Sequence, residues 1–192
     1  MVVVPSAVTP SRRAAPLPPD ERRAAIVRAV LPLMIDHGVG ITTRELAKVA
    51  GVSEGTLFNA FSDKDELVSA VVDAALAQEP FERAIDEIDP TASFVDRLVA
   101  ATEIIQRRVV DIWKLVSQLD PHRQPMPPKG PFPDSPALIA LLATEADRLR
   151  TTPADAARLL RALALSLSHP HLVETPRPAG EIVDLFLNGA MR

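Results

Sequence analysis

Between Thr43 and Lys64 the chain carries Thr43, Arg44, Lys48, Glu54, Thr56, Asn59 and Lys64. Three of these can read the edges of bases in a DNA major groove. Asn pairs bidentately with adenine, Glu accepts from the cytosine amino group, and Thr hydrogen-bonds or touches a thymine methyl. The cations Arg44, Lys48 and Lys64, with the Thr43 hydroxyl, suit phosphate, a contact that positions a protein without reading sequence. Other chemistry is poorly provided for. The chain has no cysteine, which excludes disulfides, thiol nucleophiles and thiolate zinc. His122, His169 and His171 lack a cysteine or an acidic partner at ligand spacing and make a poor metal site. There is no glycine-rich phosphate loop and no Ser-centred nucleophile motif, so neither a cofactor nor an enzymatic activity is expected.

The elements that must position these side chains are marked by their caps. Thr42 and Glu45 form a capping box, and Gly51 closes the helix it starts. Ser53 can cap a second helix and Asp63 a third, the latter amphipathic through Leu67, Val68, Val71, Val72 and Ala75. Leu46, Ala47, Ala50, Val52, Leu57 and Phe61 can bury themselves together across the tight turn at Gly51. This is the pattern of a helix-turn-helix, whose second helix enters the major groove. It accounts for the odd composition of "GVSEGTLFNAF", residues 51 to 61. A helix in a groove about 12 Å wide cannot be bulky all round, and Gly55 and Thr56 keep its approach close. Base reading then falls to Glu54, Thr56 and Asn59, with Ala60 beside them.

The run "TTRELAKVAGVSEGTLFNAFSDKDEL" resembles the DNA-binding segment of the tetracycline-repressor (TetR) family, a likeness covering residues 41 to 72. "GEIVDLFLNGA" at 180 to 190 resembles that family's closing helix. The resemblance implies DNA contacts from Thr43, Arg44, Glu54, Gly55, Thr56, Phe58, Asn59 and Lys64. Phe58 stands where the family commonly has Tyr, so it lacks a hydroxyl for phosphate and is left a packing or sugar contact. The resemblance also implies a small-molecule effector that binds in a helical second domain and moves the two DNA-binding units of a homodimer apart.

At 192 residues the chain can hold a small domain and a larger one. Strand patterning is absent, and few aromatics among many Ala and Leu favour an all-α fold. Residues 1–19, with Arg12 and Arg13, read as a disordered arm, resembling neither a signal peptide nor a membrane span. Residues 20–78 form the helix-turn-helix domain, and 79–192 a helical ligand-binding and dimerisation domain. Asp20 is expected to cap a first helix running to about His37, where Gly38 stops it, with Pro32 kinking it or removing a hydrogen bond. A long helix is expected from about 92 to 119. Seven of the nineteen prolines fall between Pro121 and Pro136, a linker or lid. Further helices are expected from Ser135 to about Arg150, from Thr152 to about Ser168, and from about Ala179 to Asn188, with Gly189 as terminator.

Helices 152–168 and 179–188 are apolar around much of their circumference, and pairing with a second copy into a four-helix bundle would cover them. Such a dimer spaces two recognition helices along a pseudo-palindrome. Phe94, Trp113 and Phe132 are candidate liners of an effector cavity, although apolar residues at helical spacing pack in cores by default. Arg107 and Arg108 could meet an anion or form a solvated pair. Net charge is −4, and residues 20 to 79 carry six basic residues against ten acidic ones, so nonspecific attraction to DNA should be feeble, with a modest salt slope. The expected activity is a cytoplasmic, ligand-responsive, homodimeric repressor. The alternative is a protein of the same fold that binds a small molecule or lipid and has lost DNA binding.

Overall fold

The computed structural model describes residues 18–120, 122 and 133–190. The arm with Arg12 and Arg13, most of the proline-rich segment and the candidate Phe132 lie outside the described residues. Those described form nine α-helices and no strand, the expected all-α fold.

Helix α1 (Pro19–His37) begins on a proline at its first position, and its N-cap, Pro18, makes no side-chain bond. Asp20 is therefore not the cap. The fixed φ of Pro19 preorganises the first turn, and Asp20 with Glu21 sits inside it, where negative charge suits the helix dipole. The helix runs on through Pro32 as one element. Pro32 and Arg28 are both exposed, so the carbonyl left without a partner faces water.

Helices α2 (Thr43–Val49), α3 (Glu54–Ala60) and α4 (Lys64–Leu76) follow, each on its expected cap. Thr42 and Glu45 complete the capping box, Ser53 accepts from the Thr56 N–H, and Asp63 accepts from the Glu66 N–H. Helix α5 (Glu79–Asp86), with Pro80 in its first turn, has no counterpart among the elements expected from the pattern.

Helix α6 (Phe94–Val116) is capped by Ser93. Helix α7 (Pro136–Ala143) starts on the expected Ser135 but ends well short of Arg150. The Thr144 hydroxyl donates to the Leu141 carbonyl at 2.7 Å, competing with the helical ladder, and a 3-10 turn at Ala146–Arg148 then carries Leu149 into the core. Helix α8 (Pro153–Ser166) is capped by Thr152. Helix α9 (Ala179–Ala190) continues past Gly189, which does not terminate it.

Two hydrophobic cores result, and α6 belongs to both. Its Leu98, Ala101 and Ile105 pack with Phe81, Leu138, Leu160 and Phe186 in the C-terminal core. Leu115 near its end, and Leu119 just beyond, pack with Val30, Met34, Leu46, Leu57 and Val71 in the N-terminal one. The C-terminal end of α6 is thus a built part of the domain that carries α2 and α3.

Candidate nucleic-acid interface

The turn between α2 and α3 is a Schellman motif. The Gly51 N–H donates to the Lys48 carbonyl at 3.2 Å and the Val52 N–H to the Ala47 carbonyl at 3.0 Å. Gly51 has φ +67°, and a Cβ there would meet nothing within 4 Å, so glycine is needed for its backbone and not for space. Leu57 and Phe61 are each only 2% exposed and anchor α3 on Leu46. The opposite face of α3 is open: Glu54, Gly55, Phe58 and Asn59 are all exposed. Thr56 is half-buried, and its hydroxyl lies 2.9 Å from that of Ser53.

Gly55 answers the question its composition raises. A Cβ built on it would approach only the Ser53 Oγ, at 3.9 Å, which is ordinary contact. Nothing inside the chain requires a glycine there, and its φ is not positive.

Arg44 and Lys48 are exposed on α2, and Lys64 is half-buried at the start of α4. The Thr43 hydroxyl donates to the Glu54 carboxylate at 3.2 Å, so two of the candidate contacts engage each other across the first turns of α2 and α3. Glu54 therefore braces the two helices in the free protein.

A further residue holds this face in place, and no cap or spacing in the sequence marks it. Arg23 of α1 donates to the Ala60 carbonyl at the end of α3, lies 4.3 Å from the centroid of the Phe61 ring, and forms an ion pair with Glu66 at 2.7 Å. Glu66 also accepts from the Ser62 backbone N–H at 2.7 Å. That bond, then the Arg23 guanidinium, lower the Glu66 carboxyl from its ordinary 4.5 to about 2. The end of α3 is tied to α1 and α4 by one guanidinium and one carboxylate.

Of the candidate liners of an effector cavity, the two described, Phe94 and Trp113, do not meet. Phe94 and Trp113 lie at opposite ends of α6, roughly 28 Å apart at 1.5 Å per residue. Phe94 packs on the C-terminal core with Arg97 near its ring face. Trp113 sits against His169 and His171, with ring centroids at 4.9 and 4.3 Å. Arg108 is half-buried, which excludes the solvated pair with the exposed Arg107. A surface depression of about 360 Å³ is lined by Arg177, Gly180, Glu181, Asp184 and Leu185 on the outer side of α9.

The described residues are thus all-α, with a helix-turn-helix whose second helix exposes one face, followed by further helices. Residues 26–71 match the family model of bacterial regulatory proteins of the tetR family. Solved structures share the fold along nearly the whole chain. NemR of E. coli, in its reduced form, is 17% identical with a TM-score of 0.55, covering 88% of this chain and 98% of its own. A TetR-family transcriptional regulator from Haemophilus influenzae Rd is 17% identical at a TM-score of 0.53, covering 90% and 98%. A protein solved in work on the control of antibiotic production by bacterial hormones is 22% identical at a TM-score of 0.56, covering 90% and 98%. Residues 26–71 are thus similar to the DNA-binding segment of tetR-family regulators, and the chain as a whole shares its fold with solved structures of that description. No helix among the described residues is long and apolar enough to cross a membrane.

Proposed function

We propose that the chain is a TetR-family DNA-binding transcriptional regulator, a cytoplasmic repressor that occupies a pseudo-palindromic operator as a homodimer and is released by a small-molecule effector. The single observation that carries DNA binding is the face of α3: a glycine that nothing inside the chain requires, beside exposed Phe58 and Asn59. Asn59 and Thr56 read bases, with Glu54 joining them once it leaves Thr43. Thr43, Arg44, Lys48 and Lys64 hold phosphates, Gly55 permits the approach, and Phe58 packs against sugar. Residues 20–78 act as the DNA-binding unit and 79–192 as the effector and dimerisation unit.

The dimer reading is supported by α8 and α9, which bury Leu160, Ala164, Ile182 and Phe186 on one side. They leave Leu159, Leu165 and Leu185 at 42, 37 and 49% exposed on the other. A repressor acts by occupying its site, and an effector that favours the non-binding conformation releases it through a coupling free energy. Gel-shift assays against the DNA flanking its own gene test the reading, with Asn59→Ala as the decisive variant. The variant should lose operator affinity by about 1–3 kcal/mol while the dimer persists. Failure of the native chain to shift any of that DNA at low salt overturns it.

A further inference from the structure

We propose that Phe58 reads the C5 methyl group of a thymine in the operator, which makes it a determinant of sequence specificity beside Asn59. This rests on the DNA-binding reading above and names the base that one outward side chain selects.

Phe58 is 47% exposed, the one aromatic among the large apolar side chains left exposed in the described residues. The rings around it in the sequence and the fold are engaged. Phe61 is buried under Arg23, and Phe81 and Phe94 lie near Arg108 and Arg97. Among the described residues no ring and no guanidinium lies against Phe58. Exposure alone would say little, since single apolar side chains are common on protein surfaces. The neighbours decide.

Gly55 and Phe58 are three positions apart on α3 and therefore adjoin on its surface, and Asn59, four positions from Gly55, shares that face. All three are exposed, while Leu57 and Phe61 hold the other side of the helix in the core. Gly55 leaves a notch next to the ring, where a Cβ would meet only the Ser53 Oγ at 3.9 Å. The face thus presents an apolar ring, a gap and an amide side by side.

A phenyl ring has no conventional hydrogen bond to give or accept, so the polar base edges offer it nothing. The thymine methyl is the apolar group that a base pair shows in the major groove, and Phe is one of the side chains that meet it. In B-form DNA that methyl stands beside the sugar of the 5′ neighbour, so a ring laid on the sugar touches the methyl with its edge. The notch at Gly55 lets the helix come close enough for this contact. Asn59, next in the chain, pairs with adenine. The two side chains together ask for A·T pairs at neighbouring steps, one recognised by its methyl and the other by its hydrogen-bonding edge.

Selection of duplexes from a random-sequence pool by the full chain yields the operator used in the test. Each of its thymines is then replaced singly by deoxyuridine, which removes the methyl and keeps every hydrogen-bonding group. At one thymine of each half-site the change should weaken native binding about fourfold, the worth of one buried methyl group, and about fifteenfold when both half-sites are changed. Phe58→Ala alters an exposed side chain outside the core and should bind the thymine and uracil operators equally. Asn59→Ala, weaker overall, should still tell them apart. Native binding that is indifferent to uracil at every position would leave Phe58 on sugar alone and overturn the proposal. A uracil penalty that survives Phe58→Ala would overturn it as well. A pool from which the native chain enriches no sequence would fail one step earlier and overturn the DNA-binding reading with it.

Discussion

Gly55 separates what the fold requires from what the function requires. Inside the chain an alanine fits, because its Cβ would meet only Ser53 Oγ at 3.9 Å, and the residue lies in the first turn of a helix with an ordinary φ. Gly55→Ala should therefore raise stability, by about 0.4–1 kcal/mol, through the lost freedom of the unfolded chain. In the proposed complex the same methyl would point at the groove, so operator affinity should fall. Urea denaturation and a gel shift on one sample read the two effects, and a variant that gains stability with unchanged affinity would show that α3 does not approach DNA at this point. Gly38 is the opposite case. At φ +82° and ψ −178° its backbone is in a region that is essentially glycine's alone, and the Gln118 side chain lies where a Cβ would go. Gly38→Ala should cost about 1–3 kcal/mol. Gln118 can swing aside, so adding Gln118→Ala should recover little of the loss, and a full recovery would place the cost in packing.

At the scale of the element, the ends of the helices around the site were readable and their mutual ties were not. Thr42, Ser53 and Asp63 cap residues three positions ahead, so their signal is local and lies in the sequence itself. Arg23 bonds to a carbonyl 37 positions away and Arg108 to carbonyls 31 and 32 positions away, all at the ends of other helices, and a carbonyl acceptor leaves no mark of its identity in a sequence. The sharing of α6 between two cores was hidden for the same reason, since Leu115 and Leu98 continue one apolar stripe. The tie at the end of α3 makes a prediction in pH. Glu66 is held near 2 against an ordinary 4.5, first by the Ser62 N–H and then by Arg23. A carboxyl lowered on folding stabilises the native state above its unfolded value, and that contribution drains away as pH falls from 4.5 toward 2. Urea midpoints measured down this range should fall less steeply for Glu66→Gln than for the native chain. Parallel slopes would mean that Glu66 is not held by these bonds in solution.

The whole molecule must reconcile an acidic surface with the proposed DNA site. With a net charge of −4, long-range attraction to DNA is weak, and specific affinity has to come from geometry. The proposed dimer would supply that geometry, because the second half-site would be reached at a high effective concentration once the first is held. The exposed Leu159, Leu165 and Leu185 on α8 and α9 lie on faces turned away from the core that Leu160, Ile182 and Phe186 fill. A charge at one of those outward positions should break the pairing without disturbing the fold. Leu185→Asp should sediment as a monomer, keep its helical circular dichroism, and bind operator at least ~100-fold more weakly, the usual scale of lost bivalency. The salt dependence should also change: with half of the phosphate contacts gone, the slope of log affinity against log salt should fall to about half. A variant that stays dimeric would move the interface off this surface. A monomer that keeps full affinity would show that one recognition helix suffices.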